Sequence, residues 1–331
     1  MCLHGVRCRF CQYEFSGDDK FCQSCGEDFY QESPEPVDEQ NNGTDVYVAG
    51  YKVDTRDRMV ATIWKNGHNH KYFGHEQFEH SIANSVFLSG NDLYVAGAMR
   101  RASETDATRK TSEMVATIWK NDDCTILSDE TNYTMANSIF ILNDEIYVAG
   151  VERNANTYIA TIWIIRGNEV IPIQCNGKGD AEAHSFLVSR DGICVVGVGK
   201  NPDERWVARN WNANNGNILP FPLSDVRYRE KPSSLFVSGR DVFAIEHEHS
   251  TGSRQIATPK KNGERITLHN DENSNTEVQS VYASGNDVYV AGTKNQTGNK
   301  PAAVYWKNGN IHPLTNGEYK AFAMGVFAKP N

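Results

Sequence analysis

No apolar run in the chain approaches the roughly 18–20 residues that a membrane-spanning helix needs; the longest, Ile159–Ile165, is the length of a strand. The N-terminus, "MCLHGVRC", lacks the apolar stretch of a secretory signal. A cytoplasmic location is therefore expected, and no membrane contact. Basic charge is also scarce. Lys and Arg number 33 against 42 Asp and Glu, for a formal net charge of −9. Nucleic-acid surfaces rest on clustered cations, so general nucleic-acid binding is not expected. A 3.6-residue apolar rhythm is missing too, which excludes a helical solenoid.

Half of the eight cysteines lie in one short stretch, "CRFCQYEFSGDDKFCQSCG". Cys8 and Cys11 form one C-x2-C pair, and Cys22 and Cys25 form a second after ten intervening residues. Two such turns facing each other make a tetrahedral thiolate cage, which suits Zn2+. All four positions are filled, so the metal is expected to be structural, and a segment this short needs it to fold. The stretch resembles the short zinc-ribbon family found at the N-termini of many prokaryotic proteins, through Phe21, Cys22, Cys25 and Gly26. That resemblance implies a recognition or docking module. Residues 31–43 carry two prolines, four acids and little that is apolar, the composition of a solvated linker. The organisation read from the sequence is a ribbon over 1–30, an acidic linker over 31–44 and a repeat domain over 45–331.

The repeat has a period of roughly 48 residues, which with four short β-rich phrases per unit is the signature of a propeller blade. "VYVAG" and its variants recur as Val46–Gly50, Leu93–Gly97, Ile146–Gly150, Ile193–Gly197, Val242–Glu246 and Val288–Gly292. "ATIW" recurs from Ala61, Ala116, Ala160, Ala208, Ala257 and Ala303, with Lys260 in the fifth copy where the others have Trp. A third phrase, "NSVFLSG" at Asn84, precedes each "VYVAG" except the first. A weaker fourth follows each turn, such as "NILPFPL" from Asn217. The missing first copy of the third phrase stands at the other end, as "AMGVFAKPN". The expected fold is thus all-β: a six-bladed β-propeller of four-stranded blades, closed by the C-terminal strand. The phrases resemble those of bacterial propeller-like repeat proteins, a likeness that implies the fold and carries no catalytic residues. The Ser-x-Asp-x-Gly-x-x-Trp box of sialidases is absent.

Residues shared across the copies are read as packing: the Trp column of five copies for blade-to-blade stacking, and Val, Ile and Phe for core. Function is sought where copies differ. Asn84, Asn137, His184, Ser233, Gln279 and Met324 start the innermost strand of successive blades, and the first five could form a ligand ring at the channel mouth. Their alternative role is to hydrogen-bond channel water and neighbouring backbone. A long loop follows the second copy: Gly97 to Ala116 is 19 positions, against 11 from Gly50 to Ala61. His247 and His249 in "EHEHS", and His68, His70, His75 and His80, raise metal sites for which no full ligand set is evident. Cys194, in an apolar strand, reads as a buried thiol.

Two functions follow as expectations. The first is a non-enzymatic binding or scaffold protein, monomeric, whose propeller face and tethered ribbon engage a protein partner or small ligand. The alternative is a metal-dependent hydrolase at the channel mouth, drawing on Asn84 and Asn137 with acids such as Glu182 or Glu277.

Overall fold

A computed structural model describes residues 43–330, apart from 74–77, 102–112, 130–131, 176–178, 190–191, 202, 204–205, 219–233, 239–240, 250–254, 270–273 and 297–299. The zinc-ribbon cysteines, the linker and Ser233 lie outside the described residues. Among those described, all regular structure is strand. The strands form six separate antiparallel sheets, which are the six blades of a propeller.

The first strand of each blade lies nearest the axis: Ala321–Pro330, Phe78–Ser89, Thr134–Leu142, Ala181–Ser189, Ser234–Ser238 and Ser274–Ser284 in blades 1 to 6. The "VYVAG" strands follow as second strands and the "ATIW" strands as third. In blade 1 the C-terminal Ala321–Pro330 pairs with Thr44–Val53, from Thr44↔Pro330 to Lys52↔Ala321. The ring is therefore closed by hydrogen bonds between the two ends of the repeat domain, which give blade 1 the same kind of innermost strand as the other blades. In blade 4 three strands are described; of the expected fourth, residues 219–223 lie outside the described residues, and its start forms a bridge, Trp211↔Ile218.

The recurrence of the two phrases has a local cause. Between the third and fourth strands, Asn66, Asn121, Asn262 and Asn308 all adopt left-handed backbone, with φ of 50–55°, a conformation Asn tolerates better than most residues. Each Asn side chain then turns back onto the second strand. Asn66 Oδ1 accepts from Val46 N at 2.8 Å, and its Nδ2 donates to Asp45 at 2.8 Å. The same pair of bonds joins Asn121 to Leu93 and Asp92, Asn262 to Val242 and Asp241, and Asn308 to Val288 and Asp287. The preceding lysine completes the clamp: Lys65 lies 2.7 Å from Asp45 and over the Tyr47 ring. One blade end thus needs Asp and an aromatic in one phrase, and Lys-Asn about twenty residues later in the other.

Between blades, packing is apolar. Trp64, Trp119, Trp163, Trp211 and Trp306 are each at most 2% exposed. Each lies against the second and third strands of the blade before it: Trp119 on Ala49, Ala61 and Ile63, for example, and Trp163 on Ala96, Ala116 and Ile118. Their role is the stacking read from the sequence. The seam between blades 4 and 5 differs. Its Trp position holds the half-buried Lys260, and blade 4 has Asn210 at the place of Ile63 and Cys194 at that of Tyr47.

Candidate functional site

The six first strands enclose an axial cavity of about 590 Å³, within the size range of small-molecule sites. Its lining runs in levels along the strands, and the sequence explains each.

The upper level is the ring of residues expected at the strand starts. They lie instead inside the first strands, Asn84 within Phe78–Ser89 and Asn137 within Thr134–Leu142 among them, because pairing continues past a bulge. Asn84, Asn137, His184, Gln279 and Met324 all line the cavity, and each is the extra residue of a β-bulge. The pairing register skips from Ala83 to Ser85, Ala136 to Ser138, Ala183 to Ser185, Val278 to Ser280, and Ala323 to Gly325. A bulge re-aims its side chain and sharpens the local twist. It also thrusts a backbone carbonyl against the second strand, which accounts for the glycine of "VAG". A Cβ on Gly97 would stand 1.9 Å from Ile82 O, and one on Gly150 would stand 2.0 Å from Met135 O. Blade 5 carries Glu246 there. Its first strand pairs only as far as Ser234↔Ile245, so no described carbonyl of that strand is paired opposite Glu246.

Two ring members work between blades. Asn84 Nδ2 donates to Ala136 O and Asn137 Nδ2 to Ala183 O, both at 3.0 Å. Each ties its blade to the bulge of the next, and Oδ1 is the amide's remaining acceptor. His184 does not continue the series. Its side chain is 6% exposed, its Nε2 lies 3.6 Å from Glu182 Oε2, and its Nδ1 is buried with no hydrogen-bond partner.

One residue further on lies a level of hydroxyls. Ser85, Ser138, Ser185, Ser234 and Ser280 face the cavity, with Gly325 in the sixth place. Ser85 Oγ accepts a long bond from Ile139 N at 3.4 Å. Beneath it runs a level that the sequence reading assigned to the core. Phe87, Phe140, Phe236, Tyr282 and Phe327 line the cavity as a collar. Neighbouring rings lean on one another, with centroids 5.0–5.5 Å apart from Phe236 through Tyr282, Phe327 and Phe87 to Phe140. Alternation in the first strand does point these side chains away from solvent. In a ring of six such strands that direction is the axis, where five aromatics do not fill the space. The available signal was positional: an aromatic three residues after the ring position in five of six copies.

The other candidates are dispersed. His70 packs edge-on against Tyr47, while His80 Nδ1 accepts from Met59 N at 3.2 Å; burial lowers the pKa of both. His75, the side chains of His247 and His249, and residues 102–112 of the long loop lie outside the described set. Among the described residues no three of His, Cys, Asp and Glu come together as a metal site. Cys175 and Cys194 are buried, and burial pushes the Cys175 thiol up to about 12, far from nucleophilic thiolate.

No protein-family model matches the chain, and no curated protein sequence does. Among solved structures, the chain is similar to Trypanosoma rangeli sialidase in complex with the inhibitor DANA. The TM-score is 0.52 at 9% identity, over 87% of this chain and 53% of that one. The same sialidase with sialic acid gives a TM-score of 0.50 at 10% identity, over 87% and 52%. The periplasmic gluconolactonase of Pseudomonas aeruginosa gives 0.40 at 10% identity, over 84% and 81%. The chain spans about half the length of the sialidase it matches. At these identities the likeness shows the propeller fold alone.

Proposed function

We propose that this propeller is a non-enzymatic binding protein, holding a small ligand in its axial cavity and presenting its loop face, with the tethered ribbon, to a protein partner. The observation that carries the reading is the cavity itself, with bulged polar side chains set above a level of serines and an aromatic collar. Concave sites of this size that combine apolar walls with a few convergent polar groups are typical of ligand binding. Cys8, Cys11, Cys22 and Cys25 hold one structural Zn2+ in this reading, and two modest contacts on one chain reinforce each other through effective concentration.

The test compares the full chain with one beginning at Asn41. Native mass spectrometry of protein purified from its own cells looks for a retained small molecule, and affinity capture looks for a partner. A ligand seen with both forms, and a partner lost on truncation, is the expected pattern. Absence of any retained molecule and any stoichiometric partner overturns the proposal. Metal analysis of the full chain should return one zinc, lost in Cys22→Ser.

The hydrolase reading draws on Glu182, the one carboxylate among the described cavity-lining residues. Ca2+ binding abolished by Glu182→Gln would revive it.

A further inference from the structure

Resting on the reading of the cavity as a ligand site, we infer the chemical class of the ligand: a neutral polyhydroxylated ring, of the size of a monosaccharide or cyclitol. The first argument is charge. Among the described lining residues there is no Lys or Arg, and Glu182 is the single carboxylate. A carboxylate or phosphate ligand would enter without a cationic partner, next to an acid, in a partly enclosed site where desolvation is expensive.

The second argument is the balance of donors and acceptors. With its Nε2 turned toward Glu182, the His184 imidazole presents Nδ1 as an acceptor in its neutral form. That atom is buried without a partner, and an orphaned buried polar atom carries a penalty that a ligand hydroxyl would relieve once a turn of the ring brings it to the cavity surface. Asn84 and Asn137 have committed their N–H groups to neighbouring blades, which leaves Oδ1 acceptors. These three acceptors call for a ligand that brings hydrogen-bond donors, and the Gln279 amide, which also lines the cavity, offers both a donor and an acceptor group. The serine level adds hydroxyls able to donate as well as accept, and these match a ligand whose oxygens do both. An organic ammonium would also bring donors. It would leave the serine donors unanswered, and it would need the carboxylate of Glu182 that already lies near His184.

The third argument is shape. The collar of Phe87, Phe140, Phe236, Tyr282 and Phe327 places an apolar aromatic wall beneath the polar level. A sugar or cyclitol ring has this division, with hydroxyls around its edge and C–H groups on its faces. A linear polyol has the hydroxyls and lacks the face.

The test is isothermal titration calorimetry of the full chain with D-glucose, D-galactose, D-xylose and myo-inositol. Sodium gluconate and choline serve as anionic and cationic arms. The expected result is 1:1 binding of at least one neutral ring and no binding of gluconate. His184→Gln and the milder Ser280→Ala should weaken the bound ring by about tenfold and about threefold respectively, the loss of one hydrogen bond each. Should His184→Gln fail to fold, Ser280→Ala alone decides whether binding is in the cavity. Choline binding that Ser280→Ala weakens overturns the polyol assignment and leaves the cavity reading standing, as does gluconate binding with the same sensitivity. Silence from the four neutral rings overturns the polyol assignment, and the mass-spectrometric search for any retained molecule then decides the cavity reading separately. Neutral-ring binding unchanged in both variants places the ligand elsewhere and overturns the inference.

Discussion

Installing tryptophan at position 260 tests whether the blade 4–5 seam is a polar exception to the rule that holds the ring together. In five seams a Trp no more than 2% exposed packs on the preceding blade, and truncating such a residue to Ala costs roughly 3–5 kcal/mol. At the remaining seam, Lys260 and Asn210 occupy the places of the Trp and of the Ile it meets. Both have contacts of their own, so Lys260→Trp or Asn210→Ile alone forfeits those contacts. It also sets an apolar group against a polar one, and each single change should cost about 1–2 kcal/mol. The double variant restores the Ile–Trp contact. It should be more stable than the natural chain by about 1 kcal/mol, so that with single losses near 1 kcal/mol each the coupling is about 3 kcal/mol, at the top of the range for touching residues. Thermal unfolding of the four proteins measures the cycle. One kcal/mol shifts the midpoint by roughly 2–4 °C in a domain of 150–250 residues, and by less in a larger one. Hydrogen exchange adds a spatial check: amides of blades 4 and 5 should exchange first in the natural chain and gain protection in the double variant. Additive effects, or a double variant less stable than the natural chain, would refute the equivalence of this seam to the others.

Asn121→Ala loses bonds to Leu93 and Asp92 and forces Ala to φ +55°; urea denaturation should show a loss of about 2–3 kcal/mol, with Asn121→Gly about 1 kcal/mol milder. Equal losses for the two would mean that the backbone conformation does not matter there. Gly97→Ala, whose Cβ would meet Ile82 O, should destabilise by about 1–3 kcal/mol; a wild-type midpoint would disprove the close approach at the bulge. The clamp carboxylates give a pH signature. Asn121 and then Lys120 hold Asp92 below the ordinary value of 3.8, Lys261 and then Asn262 do so for Asp241, and Asn308 does so first for Asp287. Because the folded values are the lower ones, the stabilisation is complete above pH 3.8 and fades as pH falls through the depressed values. A melting series should therefore steepen on the acid side below about 3.8, and Asp92→Asn with Asp241→Asn should flatten that limb. An unchanged limb would show that these clamps do not govern acid unfolding.

Much of the fold was legible because repetition exposes it. Residues that recur at the same place in most units, such as the "ATIW" Trp in five and Lys-Asn before a turn in four, carry a demand that those blades repeat. The displaced strand "AMGVFAKPN" then fixed the closure and the number of blades. The identity of the ring residues was legible too, since Asn84, Asn137, His184 and Gln279 stand where copies diverge. Their bulges were not. Pairing register depends on the partner strand, and only the paired strands reveal that Ala83 and Ser85 are neighbours in the ladder with Asn84 pushed out between them. The same holds for the collar. Phe87 and Phe327 are separated by 240 positions, and alternation states only that such residues point away from solvent. Whether that direction leads into a packed interior or onto an open axis is set by how many strands converge there. The sequence by itself determined the strands, their order and the ring. The tertiary arrangement decided which polar groups find partners across blades and which, like His184 Nδ1, are buried without one.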